Sequence, residues 1–210
     1  MKIIEVENVS KSFSDRKVLD SVSFTIEKET ICGLIGRNGS GKTVLMKCIC
    51  GFLTPDSGSI RIRGRLQNRK QDVSRNMGII IESPGFLENE SAYGNLLYLA
   101  RLRGLIGKSE VKEAIRQAGL SPDDHKKVKK YSMGMRQRLG IAQAIMEKPD
   151  ILLLDEPMNG LDEQGVTDMR TLFLSLKENG VTILLASHNT EDIALLCDNV
   201  YRIDGGKIHI

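Results

Sequence analysis

Short apolar runs bounded by turn residues recur along the chain and predict buried strands. Runs of this length without a polar face are typical of parallel strands that are covered on both faces of a sheet. They occupy Thr30–Ile35, Met77–Ile81, Ile151–Leu154 and Val181–Ala186. Alternating positions or short runs beside turns predict further strands at Ile3–Val9, Val22–Ile26, Ser59–Arg63, Asn199–Ile203 and Lys207–Ile210.

Helical spacing of apolar residues appears between these strands. A helix is predicted over Val44–Ile49, another ends at Ile145, and a third covers about Glu163–Leu176. The longest helical stretch, Ser91–Gly119, interrupts the alternation of strand and helix. We therefore predict an α/β protein with one domain over residues 1–210 and a helical subdomain inserted at about residues 84–145.

Composition and charge narrow the class of protein. The chain has 210 residues, 40% of them hydrophobic and 27% charged, which is ordinary for a globular domain. Its net charge of +3 is too small to indicate nucleic acid, and the run Lys126–Lys130 is typical of a solvated surface. No apolar run reaches membrane-spanning length, and the first residues lack the apolar core of a signal peptide. A cytoplasmic protein is the expectation.

Four cysteines, Cys32, Cys48, Cys50 and Cys197, show no metal-binding spacing. Three of them lie inside apolar segments, so reduced core thiols are expected. These residues therefore contribute no candidate chemistry.

The segment Gly36–Thr43 fits the pattern G-x-x-x-x-G-K-[ST], which lies between a predicted strand and a predicted helix. Glycine lets the backbone curl so that amide groups point at phosphate oxygens, and the helix N-terminus adds a positive dipole end. Lys42 is expected to reach the β- and γ-phosphates, and the Thr43 hydroxyl to ligate Mg²⁺. The predicted nucleotide-binding residues of this segment are Gly36, Arg37, Asn38, Gly39, Ser40, Gly41, Lys42, Thr43 and Val44.

Two carboxylates follow the apolar strand that begins at Ile151. Asp155 and Glu156 stand at its carboxyl end, which is where α/β proteins bind ligands. A phosphate loop needs a partner for its Mg²⁺, and Asp155 fits that role. Glu156 is then free to act as a base toward water.

Several other residues have two interpretations from the sequence. Phe13 lies in a polar stretch, Lys11–Asp15, and either packs locally or stacks on a base. Ser132 and Gly134 begin a helix, where Ser132 either caps the helix or binds an anion. His188 ends a strand and is either structural or a contact to a γ-phosphate.

The order of these motifs resembles the nucleotide-binding subunit of ABC transporters over essentially the whole chain. The motifs that carry the resemblance are the phosphate loop, the helical block, Ser132-Met133-Gly134, Leu152-Leu153-Leu154-Asp155-Glu156-Pro157, Gly160-Leu161-Asp162 and Ser187-His188. The resemblance implies a P-loop NTPase core of RecA-like type with an antiparallel β subdomain and an inserted helical subdomain. It also implies a nucleotide-dependent dimer, homo- or heterodimeric, in which Ser132 and Gly134 of one subunit meet the ATP held by the other.

The resemblance implies roles for individual residues as well. Phe13 would stack on adenine, Asp155 would organise Mg²⁺, and Glu156 would polarise the attacking water. His188 would contact the γ-phosphate, so that Glu156, His188 and Lys42 form the catalytic set, while Asp162 would lie at the dimer seam.

Two departures from the family pattern identify a branch. Tyr131-Ser132-Met133-Gly134-Met135 stands where the family usually has Leu-Ser-Gly-Gly-Gln, and Glu82 stands where it usually has Gln. Glu82 adds a negative charge near the metal and the γ-phosphate, which either tightens metal coordination or repels phosphate when the metal is absent. The predicted metal residues are Thr43, Asp155 and Glu82. With the following Ser-Pro-Gly-Phe, these features resemble the bacitracin-resistance and lantibiotic-immunity branch of ABC exporters.

The leading hypothesis is an ATPase subunit that binds ATP and Mg²⁺ and drives an exporter of peptide antibiotics. Its expected partner is a separately encoded membrane permease, which would hold it at the inner face of the membrane and contact it near Glu82–Phe86 and the helical block. Exposed Pro84, Phe86 and Leu87 would suit this contact, and the alternative is that Phe86 and Leu87 pack inside the domain. The alternatives are the ATPase of an importer, or a soluble ABC ATPase acting on ribosomes or DNA. The single phosphate loop disfavours the last class, which generally carries two cassettes.

Overall fold

The computed structural model describes residues 1–67, 76–82 and 85–209. Its strands are Lys2–Phe13 (β1), Arg16–Glu27 (β2), Ile31–Ile35 (β3), Ser57–Ile62 (β4), Arg65–Leu66 (β5), Met77–Ile80 (β6), Ile151–Asp155 (β7), Thr182–Ala186 (β8), Asn199–Asp204 (β9) and Lys207–His209 (β10). Its α-helices are Lys42–Ile49 (α1), Ala92–Arg103 (α2), Lys108–Gln117 (α3), Met133–Ile145 (α4), Glu163–Glu178 (α5) and Thr190–Leu196 (α6). A single turn of 3₁₀ helix covers Val128–Lys130.

The strands form two sheets. An antiparallel sheet has the order β2-β1-β4-β5, and a six-stranded sheet has the order β10-β9-β3-β8-β7-β6. In the second sheet β9, β3, β8, β7 and β6 run parallel, and β10 joins as an antiparallel edge strand. Leu34 pairs with Ala186, which pairs in turn with Asp155, so three carboxyl ends are level at one edge. Ligands bind at this edge in open α/β sheets.

Two hydrophobic clusters hold the layers together. One cluster, which includes Leu152, Leu154 and Phe173, packs one face of the large sheet against helices α2 to α6. The other cluster, which includes Ile4 and Leu45, fills the space between the two sheets and α1. Both faces of the parallel strands are therefore covered, which explains their unbroken apolar runs. The predicted fold class is confirmed.

The helical block lies between two strands that are neighbours in the sheet. Helices α2, α3 and α4 all fall between β6 and β7, which pair in parallel from Met77 opposite Ile151 to Ile80 opposite Leu154. The segment is thus an insertion into a continuous sheet. Its predicted first residue, Pro84, lies outside the described residues, as does the predicted strand end Ile210.

Two local features differ from the sequence-based prediction. The first strand, predicted to end at Val9, continues through polar residues to Phe13 and turns into β2 at Arg16. Asp56 supports this polar extension by accepting hydrogen bonds from Lys11 Nζ and Ser12 N, each at 2.7 Å. Helix α6 was not predicted from the sequence, since its seven residues give too short a period.

Gly78 provides a test of the contact between the inserted helices and the sheet. A Cβ at this residue would lie 2.1 Å from Ala144 O and 2.4 Å from Leu152 Cδ2. Gly78→Ala is expected to lower the free energy of unfolding by about 1–3 kcal/mol or more, because backbone must shift to make room. Denaturant titration measures the loss. Gly85→Ala, where a Cβ meets no atom within 4 Å, is the control and should change stability little.

Candidate nucleotide-binding site

The glycine-rich loop connects β3 to α1 at the level edge of the parallel strands. A Cβ on Gly36 would lie 2.3 Å from Ile203 O and 2.6 Å from Ser40 Oγ, so no other residue fits without movement. Gly39 and Gly41 have φ values of +78° and +112°, in the region that favours glycine. Ser40 N donates to Arg37 O at 3.1 Å and closes the turn. The three glycines of the motif are therefore each required by the backbone path.

Lys42 is folded over this loop. Its Nζ donates to Gly36 O at 2.6 Å and to Arg37 O at 3.4 Å, and the residue is only 6% exposed. Ser40 Oγ is buried and finds no hydrogen-bond partner among the described residues. A buried ammonium and an unpaired hydroxyl in a loop at a helix N-terminus are the donors that an anionic ligand such as a phosphate group requires.

Thr43 and Asp155 meet across 112 positions of sequence, since Thr43 Oγ1 donates to Asp155 Oδ2 at 2.7 Å. One residue opens α1 and the other ends β7, and the alignment of β3, β8 and β7 brings these two points together. Hydroxyl and carboxylate oxygens are the ligand types that Mg²⁺ prefers. No group of three or more His, Cys, Asp or Glu side chains suited to a metal occurs in the described ranges. A magnesium ion here would take its remaining ligands from phosphate and water.

Glu156 follows directly and has a constrained backbone. Its φ is +50°, which is uncommon for a residue with a Cβ, and its amide donates to Ala186 O at 2.9 Å. His188 Nδ1 lies 2.9 Å from Glu156 Oε1, although Oε1 accepts no aligned hydrogen bond from the described residues. The His188 side chain is 62% exposed. The two predicted catalytic side chains are therefore neighbours at the ends of β7 and β8.

Glu82 also faces this site but is paired with a cation. Lys47 Nζ, on α1, donates to Glu82 Oε1 at 2.6 Å. The Glu82 backbone has φ +62°, and its side chain is 66% exposed. The structure thus places the predicted metal residue Glu82 at the site, where its carboxylate accepts a hydrogen bond from Lys47.

A cavity of about 710 Å³ joins these groups. Arg37, Asn38, Gly39 and the residues from Gly41 to Val44 line it together with Glu82, Asp155 and Glu156. Residues to which the sequence assigned no role also line it: Arg16, Val18, Met133, Gln137 and Asn159. The volume suits a nucleotide-sized ligand. A larger cavity of about 970 Å³, lined by α3 and the end of α5, contains none of the phosphate-binding groups. The chemistry of the lining therefore identifies the site better than volume does.

Phe13 lies near this cavity but does not line it. The residue is 45% exposed, and Lys11 Nζ stands 5.6 Å from the ring centroid. Arg16 and Val18, from the next strand, line the cavity instead. Stacking of Phe13 on a base stays a prediction.

Ser132, Gly134 and Asp162 lie outside the cavity. Ser132 caps α4 by accepting from Met135 N at 3.2 Å, and Asp162 caps α5 by accepting from Gly165 N at 2.9 Å. Both residues are exposed, as a contact with a second chain would require. A Cβ on Gly134 would lie 2.9 Å from Gly160 O, so the two helix starts are packed against each other.

Gln137 connects the start of α4 to the catalytic turn. Its Nε2 donates to Pro157 O at 2.9 Å and approaches Glu156 O at 3.5 Å. No feature of the sequence indicated this contact, because a lone glutamine on a helix has no distinctive spacing.

Leu87 is exposed as predicted, whereas Phe86 is partly buried against the core, which corrects the expectation that both are exposed.

The cysteines are structural. Cys32, Cys48 and Cys50 are buried, and Cys197 is partly buried, all as free thiols. Burial raises the pKa of the Cys32 thiol to about 12, and likewise that of Cys197. Thiols that stay protonated are poor nucleophiles and poor metal ligands.

A glycine-rich anion loop joined to a hydroxyl–carboxylate pair at a parallel sheet edge defines a nucleotide-binding ATPase of the P-loop class. The chain belongs to the ABC transporter family, whose model, described as "ABC transporter", matches residues 19–159. It is an ATP-binding cassette of that family, a class of ATPases coupled to transport. Among the helices of the described residues, none has the length and apolarity to span a bilayer.

Curated relatives are similar over nearly the whole chain. An uncharacterized ABC transporter ATP-binding protein of Bacillus subtilis, YybJ, is 42% identical over 98% of this chain and 94% of its own length. The bacitracin transport ATP-binding protein BcrA of Enterococcus faecalis is 42% identical over 93% of this chain, which spans 64% of that protein. The lantibiotic transport ATP-binding protein SrtF of Streptococcus pyogenes is 37% identical over 98% of this chain and 89% of its own length.

Solved structures share the fold. A structure described as the ATP-binding subunit of an ABC transporter superimposes with a TM-score of 0.88 over 99% of this chain and 88% of its own, at 26% identity. A bacterial ABC transporter cassette described as dimeric gives a TM-score of 0.90 over 99% of this chain and 97% of its own, at 21% identity. The second likeness concerns the fold alone.

Proposed function

We propose that this chain is the ATP-hydrolysing subunit of an ABC exporter that removes peptide antibiotics of the bacitracin or lantibiotic kind. ATP hydrolysis is supported by the position of Thr43, Asp155 and Glu156, which lie together beside the glycine-rich loop. The exporter assignment is supported by BcrA, at 42% identity, and by SrtF, at 37% identity. An importer subunit has no comparable support.

In this proposal the chain's own residues divide the work of hydrolysis. Lys42 and the loop amides bind the phosphates, while Thr43 and Asp155 hold Mg²⁺, which supplies charge neutralisation of the phosphate oxygens. Glu156 accepts a proton from the attacking water, and His188, 2.9 Å from its carboxylate, orients it toward the γ-phosphate. Phe13 stacks on adenine.

The proposed working unit is a dimer of cassettes bound to a membrane permease. Exposed Ser132 and half-buried Gly134 at the start of α4 bind the ATP held by the other cassette, and Asp162 lies at the interface between the two chains. Amides at a helix start suit the γ-phosphate. ATP would then favour the closed pair and hydrolysis the open one, a ligand-driven shift between two states. The permease holds the cassette at the inner face of the membrane.

Deletion of the gene from its native host tests the exporter assignment. We expect the deletion strain to become more susceptible to a peptide antibiotic of the bacitracin or lantibiotic class, and the wild-type gene to restore resistance. A Glu156→Gln gene is the control and should not restore it. The tagged chain is expected to copurify with a multispanning membrane protein. Unchanged susceptibility together with copurification of a solute-binding protein would instead identify an importer.

A further inference from the structure

Lys47 lies on the same face of α1 as Thr43, one turn further along the helix. Residues four apart on a helix are neighbours on its surface. Thr43 Oγ1 donates to Asp155 Oδ2 at 2.7 Å, and Lys47 Nζ donates to Glu82 Oε1 at 2.6 Å. One helix face therefore holds two carboxylates from two different strand ends, β7 and β6, at successive turns.

The Glu82 carboxylate is expected to weaken nucleotide binding unless a cation balances its negative charge. Glu82 lines the same cavity as Lys42, Asp155 and Glu156, so three carboxylates face the place of a triphosphate. Carboxylates repel the phosphates of a ligand in the same cavity, even at the high dielectric of a surface site. Within the part of the chain that the structure describes, the Lys47 ammonium contacts Glu82.

The pair is poorly suited to a purely structural role. The Glu82 side chain is 66% exposed, and exposed ion pairs contribute little to folding stability. The positive φ of Glu82, +62°, instead fixes the direction in which the side chain leaves the backbone. Geometry and exposure together indicate that the Lys47–Glu82 pair controls the position of the Glu82 carboxylate.

We propose that Lys47 is a positioning residue that holds the Glu82 carboxylate one helical turn away from the Thr43–Asp155 pair until magnesium and nucleotide are bound. The inference rests on the proposed ATP-binding function. Glu82 thereby has two alternative cationic partners, Lys47 and the metal ion. Lys47 lets the chain carry a carboxylate at this position without repelling ATP that arrives without metal.

Nucleotide binding by the whole chain, measured by calorimetry with ATP in EDTA and with ATP in Mg²⁺, tests this inference. Lys47→Met keeps the apolar stem and removes the ammonium. It is expected to weaken ATP binding in EDTA about three- to tenfold and to change binding in Mg²⁺ much less. Lys47→Arg should retain wild-type affinity in both conditions, and thermal unfolding should confirm that each variant is folded.

The double variant separates positioning from direct attraction of phosphate by Lys47. Lys47→Met with Glu82→Gln should bind ATP in EDTA as well as Glu82→Gln alone, because no carboxylate is left to hold. Lys112→Met is the matched control, since Lys112 pairs with Asp123 at 2.9 Å and lies outside the nucleotide cavity. Lys112→Met should bind ATP with wild-type affinity, although it changes the net charge of the chain by the same amount as Lys47→Met.

Two results would overturn the inference. One is unchanged ATP affinity of Lys47→Met in EDTA, and the other is a double variant that binds as weakly as Lys47→Met alone. If the wild-type chain binds ATP in neither condition, the proposed function itself fails, which is a different result from failure of the Lys47 role.

Discussion

Glu156→Gln is expected to bind ATP normally and to lose at least about 100-fold in the rate of hydrolysis, as removal of a general base does. Gln has nearly the shape of Glu, so the left-handed backbone at this residue should persist. The hydrogen bond from its backbone N–H to Ala186 O should persist as well. What is lost is the carboxylate oxygen 2.9 Å from His188 that would take the proton of water. Phosphate release from purified chain with Mg²⁺ and ATP measures the effect.

The same variant should accumulate an ATP-dependent dimer, because the closed state no longer decays by hydrolysis. Size-exclusion chromatography with light scattering detects it as a doubling of mass with ATP and a monomer without. Glu163→Gln is the matched control, since Glu163 is an exposed carboxylate in the first turn of α5 and does not line the cavity. Wild-type turnover in Glu156→Gln would show that Glu156 is not the base.

Lys42→Met is expected to weaken ATP binding by at least about ten- to a hundredfold. Lys42 is 6% exposed, and its ammonium is held over the loop by Gly36 O at 2.6 Å. A charge-assisted hydrogen bond to phosphate from such a desolvated group contributes about 1.5–3 kcal/mol, and each 1.4 kcal/mol is tenfold in affinity. Calorimetric titration with ATP measures the dissociation constant.

Methionine keeps the buried stem of Lys42, so a change in thermal stability can be distinguished from a change in affinity. Lys127→Ala is the control, because Lys127 is an exposed lysine of the Lys126–Lys130 run. It removes the same charge from the chain and should leave ATP affinity unaltered. An affinity loss of equal size in both variants would mean that net charge, and not the loop, governs binding.

Much of the site could be predicted because its determinants are local. The glycines of the loop, the caps at Ser132 and Asp162, and the carboxylates after an apolar run each follow from the conformational preferences of a few adjacent residues. The differences from the prediction arise where the local signal is insufficient. The extension of β1 to Phe13 depends on Asp56, and the seven residues of α6 are too few for periodicity to be recognised.

Other residues of the site had no local signal. Gln137 contacts Pro157 O and Arg16 lines the cavity, yet neither belongs to a spacing that indicates chemistry. Glu82 attracted notice only by its departure from a family pattern, and nothing in the sequence connected it with Lys47. Such contacts depend on which elements become neighbours.

Three features follow from contiguous segments of sequence alone: a glycine loop opens a helix, acids end a buried strand, and helices interrupt the sheet. The tertiary structure alone makes β3, β8, β7 and β6 neighbours with level carboxyl ends, which places Thr43 Oγ1 2.7 Å from Asp155 Oδ2 and Lys47 Nζ 2.6 Å from Glu82 Oε1. The physical reason is that strand order in a parallel sheet is set by packing of whole faces. Residues 112 positions apart acquire a shared function only after that packing is complete.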